Sequence, residues 1–130
     1  MAEIYPFLKD GHYWLSRFGF FIALVFAGRA IYIGLIQHGD VTPSFRRLAY
    51  AVAGVIGLEA LVGAVLYFVI GARPGEEVHL IYGMAAVLSL PFFIFVEVTA
   101  KKRPAMGSYI WGFVVVALII IRSIMTGPAG

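Results

Sequence analysis

The sequence predicts an all-α integral membrane protein, an up-down bundle of four helices that forms one transmembrane domain over residues 1–130. Hydrophobic residues make up 62% of the chain and charged residues only 13%, against roughly 25% charged residues in soluble domains. The apolar residues fall into four long runs, each close to the ~20 residues that cross a bilayer core of ~30 Å. Because the connections between the runs are short, consecutive helices are expected to pack antiparallel.

The ends of the helices are marked by cap and stop signals. Thr42 followed by Pro43 is typical of an N-cap with proline in the first helical turn. Gly39, Gly71 and Gly127 follow apolar runs, where glycine suits a left-handed stop. The four helices are predicted over residues 14–37, 43–71, 76–100 and 105–126.

Three further prolines bear on the third and fourth helices. Pro74 and Pro104 lie just before these helices and are suited to their first turns. Pro91 lies inside the third helix, where it removes one backbone hydrogen bond. We therefore expect helix three to be kinked at Pro91, a defect that neighbouring membrane helices can accommodate.

The distribution of lysine and arginine predicts the orientation of the bundle. Basic residues concentrate in the loops 38–47 and 101–104, whereas those of the other side are offset by carboxylates. By the positive-inside rule the two basic loops are cytoplasmic and both termini lie outside, most simply in a bacterial cytoplasmic membrane. Binding to nucleic acid is not predicted, because the basic residues lie at loops rather than on a solvated face.

Small residues form stripes on the first two helices. Their spacing of three and four places them on one helical face, and small residues let membrane helices approach closely. We expect helices one and two to pack along these stripes. The stripe of helix one is Ser16, Gly19, Ala23, Ala27, Ala30 and Gly34, and that of helix two is Ala49, Ala53, Gly57, Ala60 and Ala64.

Arg29 and Glu59 lie deep in the first and second apolar runs, where a charge costs about 3 kcal/mol on insertion scales. Their depths differ by only ~5 Å when residues are counted from the shared loop. An intramembrane Arg29–Glu59 ion pair is therefore predicted. The alternatives are a proton- or ion-carrying Glu59, or a side chain that faces a partner subunit, a ligand or a water cavity. Glu97 is expected to pair with Lys101, one helical turn away.

His12 and His79 are the candidate cofactor ligands. Both lie at the outer ends of helices that run in the same direction, so their depths are similar. Two imidazoles facing each other can ligate haem b iron, and one can hold the magnesium of a chlorophyll-type pigment. Gly83 would leave room for a macrocycle. Arg17 and Arg122 would contact haem propionates, lipid phosphates or a partner. Alternatively, the histidines simply lie in the head-group zone, and Arg122 snorkels to the interface.

The sequence contains no signature of an enzyme. It has no cysteine, which excludes disulfides and thiolate sites. It also lacks the HExxH, GxSxG, phosphate-loop and GxGxxG patterns. We therefore expect neither a catalytic residue nor a protein-ligated bare metal ion.

The leading functional hypothesis is a non-catalytic accessory subunit of a respiratory or photosynthetic membrane complex. It would stabilise neighbouring helices, lipids or cofactors in an electron-transport assembly, with other membrane subunits and the bilayer as partners. The first alternative is a small b-type haem or pigment-binding protein that uses His12 and His79. The second is an oligomeric proton-coupled transporter that uses Glu59.

Overall fold

The computed structural model describes residues 4–71 and 78–126. This part of the chain forms four helices and no strand, which confirms the predicted all-α bundle. Helices α1 and α2 continue directly into wider π-helical turns, Tyr32–Ile36 and Val65–Ile70. The helices are α1 (Ile4–Ile31), α2 (Pro43–Ala64), α3 (Val78–Val98) and α4 (Gly107–Thr126).

All four helices are long and apolar enough to cross a membrane. Counted with their π-helical extensions, they contain 33, 28, 21 and 20 residues, and about 20 residues at 1.5 Å each cover a bilayer core. By the length and composition of its helices, the chain is an integral membrane protein.

Helix α4 is the most buried of the four helices. Its interfaces with α1 and α3 are larger than those that α2 makes with the same two helices, and α1 and α3 face each other across the diagonal. Buried α4 residues such as Phe113, Val116 and Ile120 form much of the core. At Gly112, an added Cβ would lie 2.9 Å from the Cβ of Phe93, so α3 and α4 approach closely there.

The small-residue stripe of α1 packs chiefly against large side chains of α4. Ser16, Gly19, Ala23, Ala27 and Ala30 are buried, as this stripe predicts. Large residues fill the space beside them: an added Cβ at Gly19 would lie 3.6 Å from Glu59 of α2 and 4.0 Å from Ile120 of α4, and one at Gly34 would lie 3.1 Å from Ile110 and Met106. The larger interface of α1 is therefore the one with α4, where small residues meet large ones, and the predicted interface with α2 is the smaller of the two.

The observed ends of the helices refine the predicted ones. Helix α1 already includes Ile4, the first described residue, ahead of the predicted start at residue 14. The Thr42 hydroxyl accepts a hydrogen bond from the Phe45 amide at 3.1 Å, which confirms the predicted N-cap. Helix α4 begins at Gly107 rather than at residue 105, so Pro104 lies in the preceding loop and not in the first helical turn.

Of the two predicted glycine stops in the described residues, only one takes the left-handed conformation. Gly71 takes the left-handed conformation, with φ 87°, after α2 and its extension. After α1, His38 takes it instead, with φ 54°, and the Gly39 amide donates to the Ile33 carbonyl. Helix α3 runs through the exposed Pro91, and its kink stays a prediction. The signals at Pro74 and Gly127 lie outside the described residues.

Candidate functional site

Two polar clusters occupy opposite ends of the bundle. The histidine end comprises His12 of α1, Glu59 of α2, and His79 and Ser123 of α3 and α4. The carboxylate end is built on Glu97 of α3. Each cluster joins residues from all four helices or their loops, and the two differ in how completely their polar atoms are bonded.

His12 is anchored to α2 through one ring nitrogen. Its Nδ1 lies 3.0 Å from the backbone carbonyl oxygen of Glu59. Because a carbonyl can only accept, Nδ1 carries the proton and donates it. The Nε2 atom is then the unprotonated nitrogen, and no described residue is hydrogen-bonded to it.

His79 is anchored to α4 in the same way. Its Nδ1 donates to the Ser123 carbonyl oxygen at 2.8 Å, with the hydroxyls of Ser123 and Thr126 at 3.2 and 3.4 Å. These contacts occupy the same side of the ring, so Nε2 is again the free basic nitrogen among the described residues. A histidine whose Nδ1–H is held by a carbonyl is the usual form of a metal-ligating imidazole.

The two rings meet across the bundle. Their centroids lie 6.1 Å apart and their planes are perpendicular, at 89°. Helices α1 and α3 are diagonal neighbours, so this contact lies between α2 and α4. Both side chains are half-buried. The sequence prediction that His12 and His79 share one level is therefore realised as a direct approach of the rings.

Two glycines shape the surroundings of the rings. An added Cβ at Gly63 would lie 2.9 Å from Cε1 of His12, so only glycine lets this ring rest on α2. Gly83, one turn beyond His79, has nothing within 4 Å of its added Cβ, in keeping with the predicted open space.

Arg17 and Arg122 lie at the same end without ion pairs in the described part of the chain. The Arg17 guanidinium lies 3.6 Å from the centre of the Tyr13 ring and donates to the Ser16 hydroxyl at 3.0 Å. Arg122 is exposed, 5.8 Å from the centre of the Tyr82 ring. Their predicted contacts with propionates, lipid phosphates or a partner stay predictions.

The predicted ion pair between Arg29 and Glu59 is not formed. Arg29 lies on the exposed side of α1, and within residues 4–71 and 78–126 neither side chain has an ion pair. The Glu59 carboxylate is half-buried beside Gly19, and Arg17 is the cation near enough to attract it. Depth counting gave similar levels for the two residues, but it does not tell which face of α1 carries Arg29, and that face is exposed.

At the carboxylate end, the fully buried Glu97 accepts from three elements of the structure. Arg46 of α2 binds it in a bidentate manner, with Nε and one terminal nitrogen at 2.8 and 2.7 Å from the two carboxylate oxygens. The Tyr109 hydroxyl of α4 donates to it at 2.8 Å, and Arg103 of the last loop donates at 2.9 Å. The expected pair with Lys101 is replaced by these partners.

Arg103 links this carboxylate to the loop between α1 and α2. Its guanidinium lies 3.5 Å from Asp40, which also accepts from the Ala105 and Val41 amides at 2.8 and 2.7 Å. The Ala105 amide, followed by the Val41 amide and the Arg103 charge, lowers the pKa of Asp40. The hydrogen bond to Glu97 raises the pKa of Arg103 above its ordinary value.

Sequence reasoning missed this network, although a signal for it exists. Glu97 is the penultimate residue of α3, while Arg46 and Tyr109 lie within the first turns of α2 and α4. Antiparallel helices bring these three positions to the same level. The same counting that was applied to Arg29 and Glu59 would therefore have placed them together.

Comparisons with known proteins add no assignment. No family model matches the chain, and neither a curated protein nor a solved structure shows a significant similarity to it.

Proposed function

We propose that this protein is a membrane-embedded haem-binding protein in which His12 and His79 are the two axial ligands of a b-type haem iron. The observation that carries the proposal is the approach of two half-buried imidazoles from diagonal helices, each with Nδ1 fixed by a backbone carbonyl and Nε2 unbonded among the described residues.

The distance between the rings supports a single metal ion between them. Two metal–nitrogen bonds of about 2 Å, together with ~1.2 Å from each nitrogen to its ring centre, would separate two imidazole centroids by at most about 6.4 Å. The observed separation is 6.1 Å.

The small number of protein ligands favours a porphyrin over a bare ion. Among the described residues, no three His, Cys, Asp or Glu side chains are grouped so that they could hold a metal ion. A haem supplies four nitrogens of its own and needs only one or two protein ligands. Iron accepts two axial imidazoles, which favours haem over a magnesium pigment held by a single histidine.

The test is the visible spectrum of the purified chain titrated with haemin. We expect a Soret band and, after reduction, the sharp bands of low-spin iron with two imidazole ligands. His12→Ala and His79→Ala should abolish these bands. His38→Ala is the matched control, because His38 is the third histidine, lies exposed in a loop and should leave them unchanged. Circular dichroism checks that each variant is folded.

Two outcomes would contradict haem binding. One is a folded protein that takes up no haemin, and the other is an equal loss of the bands in all three variants. The pigment alternative is tested by a second titration, with a chlorophyll-type pigment in place of haemin. Pigment absorption bands that depend on only one of the two ring histidines would favour it.

A second candidate, an accessory subunit of a larger respiratory or photosynthetic complex, is favoured by Arg29. This cation lies within a membrane-spanning helix, is exposed and has no ion pair in the described part of the chain. A charge in that position is costly unless it is paired. An acidic side chain of a neighbouring subunit would supply the missing partner.

Purification in mild detergent tests this candidate. We expect a stoichiometric membrane subunit that is lost in Arg29→Leu and retained in Arg122→Leu, the matched control for an exposed arginine nearer the end of its helix. Purification of the wild-type chain alone, or retention of the subunit in Arg29→Leu, would contradict it.

For orientation, we infer that the carboxylate end faces the cytoplasm, since the two basic loops lie there. The chain has no cysteine, so single cysteines can report the topology directly. In intact bacterial cells, a membrane-impermeant maleimide should label Lys9→Cys and spare Lys102→Cys. The reverse pattern would invert the topology.

A further inference from the structure

A groove of about 370 Å³ opens between α3 and α4 at the carboxylate end. Its walls change character along its length. Phe93, Val96 and Trp111 belong to the membrane-spanning helices and form an apolar stretch, whereas Lys102 lies in the connecting loop. The groove therefore runs from apolar membrane helix to cationic loop, which matches the shape of an amphiphile.

The charge at the loop end of the groove is not neutralised by the protein. Glu97 lines the groove, but its carboxylate is already bound to Arg46 and Arg103. Within the described residues, Lys101 and Lys102 are exposed and have no carboxylate partner. An anion entering here would meet a net positive potential.

The aromatic wall has the features of a lipid contact at the membrane interface. The Trp111 side chain is 67% exposed, and an indole with one apolar face and one polar edge suits the head-group level. Gly107, in the first turn of α4, also lines the groove, and no side chain blocks it. The partial positive charge of this helix end adds to that of Lys102.

We propose that this groove binds one anionic phospholipid, with the lipid phosphate beside Lys102 and an acyl chain along Phe93, Val96 and Trp111. Basic pockets between membrane helices recognise anionic head groups in this way. The apolar stretch favours a lipid over free phosphate, because a lipid has an acyl chain that can pack against it and an inorganic anion has none. The proposal is independent of haem binding.

The experiment uses Trp111 as the reporter. The chain contains two tryptophans, and Trp14→Phe leaves Trp111 alone. The full-length variant is reconstituted in vesicles in which brominated phosphatidylglycerol or brominated phosphatidylcholine replaces part of the lipid. Bromine quenches indole fluorescence on contact, so the ratio of the two quenching curves gives the preference of the groove for the anionic head group.

We expect phosphatidylglycerol to be preferred by about fivefold, the contribution of one lysine near a membrane surface. Adding Lys102→Gln should reduce that preference to near unity. Lys101→Gln is the matched control: Lys101 is the neighbouring exposed lysine but does not line the groove, so most of the preference should remain. Inorganic phosphate should weaken quenching no more than sodium chloride of equal ionic strength.

Each remaining outcome overturns the proposal. Equal quenching by the two lipids would show that the groove does not select an anionic head group. Equal effects of Lys102→Gln and Lys101→Gln would show general surface attraction instead of a site. Specific competition by inorganic phosphate would assign the cation to a free anion and remove the role of the acyl chain.

Discussion

The two ends of the bundle bury ionisable groups in opposite ways. At the carboxylate end, both oxygens of the fully buried Glu97 accept from arginine or tyrosine donors. At the histidine end, His12 and His79 each bond through one nitrogen only, and the Glu59 carboxylate has no ion pair in the described part of the chain. A carboxylate whose oxygens are all hydrogen-bonded stabilises the structure. Imidazole nitrogens without a partner among the described residues can instead bind a ligand.

The strongest test of this difference is Glu97→Gln. It leaves Arg46 and Arg103 without the charge they bind, and removing one partner of a buried pair costs about 3–5 kcal/mol. Their side chains are 31% and 36% exposed and can regain water, so we expect a loss of about 2–4 kcal/mol. The free energy of unfolding in mixed detergent micelles measures it.

Glu59→Gln is the matched control for Glu97→Gln, because it makes the same chemical change at the other end. It breaks no ion pair in the described structure, so its effect on the free energy of unfolding should stay within about 1 kcal/mol. Equal losses in the two variants would remove the distinction between the ends. A loss of proton flux in vesicles, with stability unchanged, would instead revive the transporter interpretation.

Tyr109→Phe tests one donor of the saturated network. It removes a 2.8 Å hydrogen bond to a buried carboxylate, and we expect a loss of about 1–2 kcal/mol in the free energy of unfolding. Tyr32→Phe removes an exposed hydroxyl from α1's π-helical extension and should be close to neutral. An unchanged stability in Tyr109→Phe would mean that the arginines alone satisfy Glu97.

Gly63→Ala sharpens the comparison at the histidine end. The new methyl group would lie 2.9 Å from His12 and push the ring off its Glu59 carbonyl, while the fold adjusts easily around the end of a side chain. We expect haemin affinity to fall by about tenfold, as for other losses of support behind a metal-ligating histidine. Gly57→Ala, with nothing within 4 Å of its added Cβ, should bind haemin normally.

Asp40→Asn should change stability least of these variants, and the change in its melting temperature should be visible only at acidic pH. Its pKa is lowered in the folded state by the Ala105 amide first and by other donors after it. The stabilisation is therefore fully present above the pKa of the unfolded chain and is lost as the pH falls through the lower, folded value. Asp40→Asn should flatten this acid decline in the melting temperature and leave the neutral range little changed. An identical acid decline in both proteins would exclude Asp40 as its source.

The fold, and the depth of each polar residue along the membrane normal, were predictable from the sequence, because apolar runs and short loops determine both. The direction in which each side chain points was not. Membrane helices are apolar on nearly all sides, so periodicity does not distinguish the inner face from the lipid face. His12 and His79 were placed correctly by depth alone, whereas Arg29 was assigned to Glu59 although it faces outward.

The small residues of α1 identified its inner face, whereas of the predicted α2 stripe only Ala49 is buried. The α1 stripe from Ser16 to Ala30 is buried as predicted, since a lipid-facing position has no need of close approach. The stripe did not identify the helix that packs most against it. The large α4 residues that lie beside it are apolar, as lipid-facing residues are, so the sequence does not distinguish the two. The Glu97 network was overlooked for a different reason: the i,i+4 pattern with Lys101 offered a nearer explanation.

The two large interfaces that α4 makes with α1 and α3 have a consequence for biosynthesis. As the chain enters a membrane from its N-terminal side, α1 and α3 are first connected through α2, with which both make their smaller interfaces. Tyr109, which covers Glu97, and Ser123, which anchors His79, arrive only with the fourth span. Both polar clusters are thus completed only when α4 is inserted. If the translocation machinery released the first three spans early, Glu97 would lack its Tyr109 donor and His79 its Ser123 acceptor.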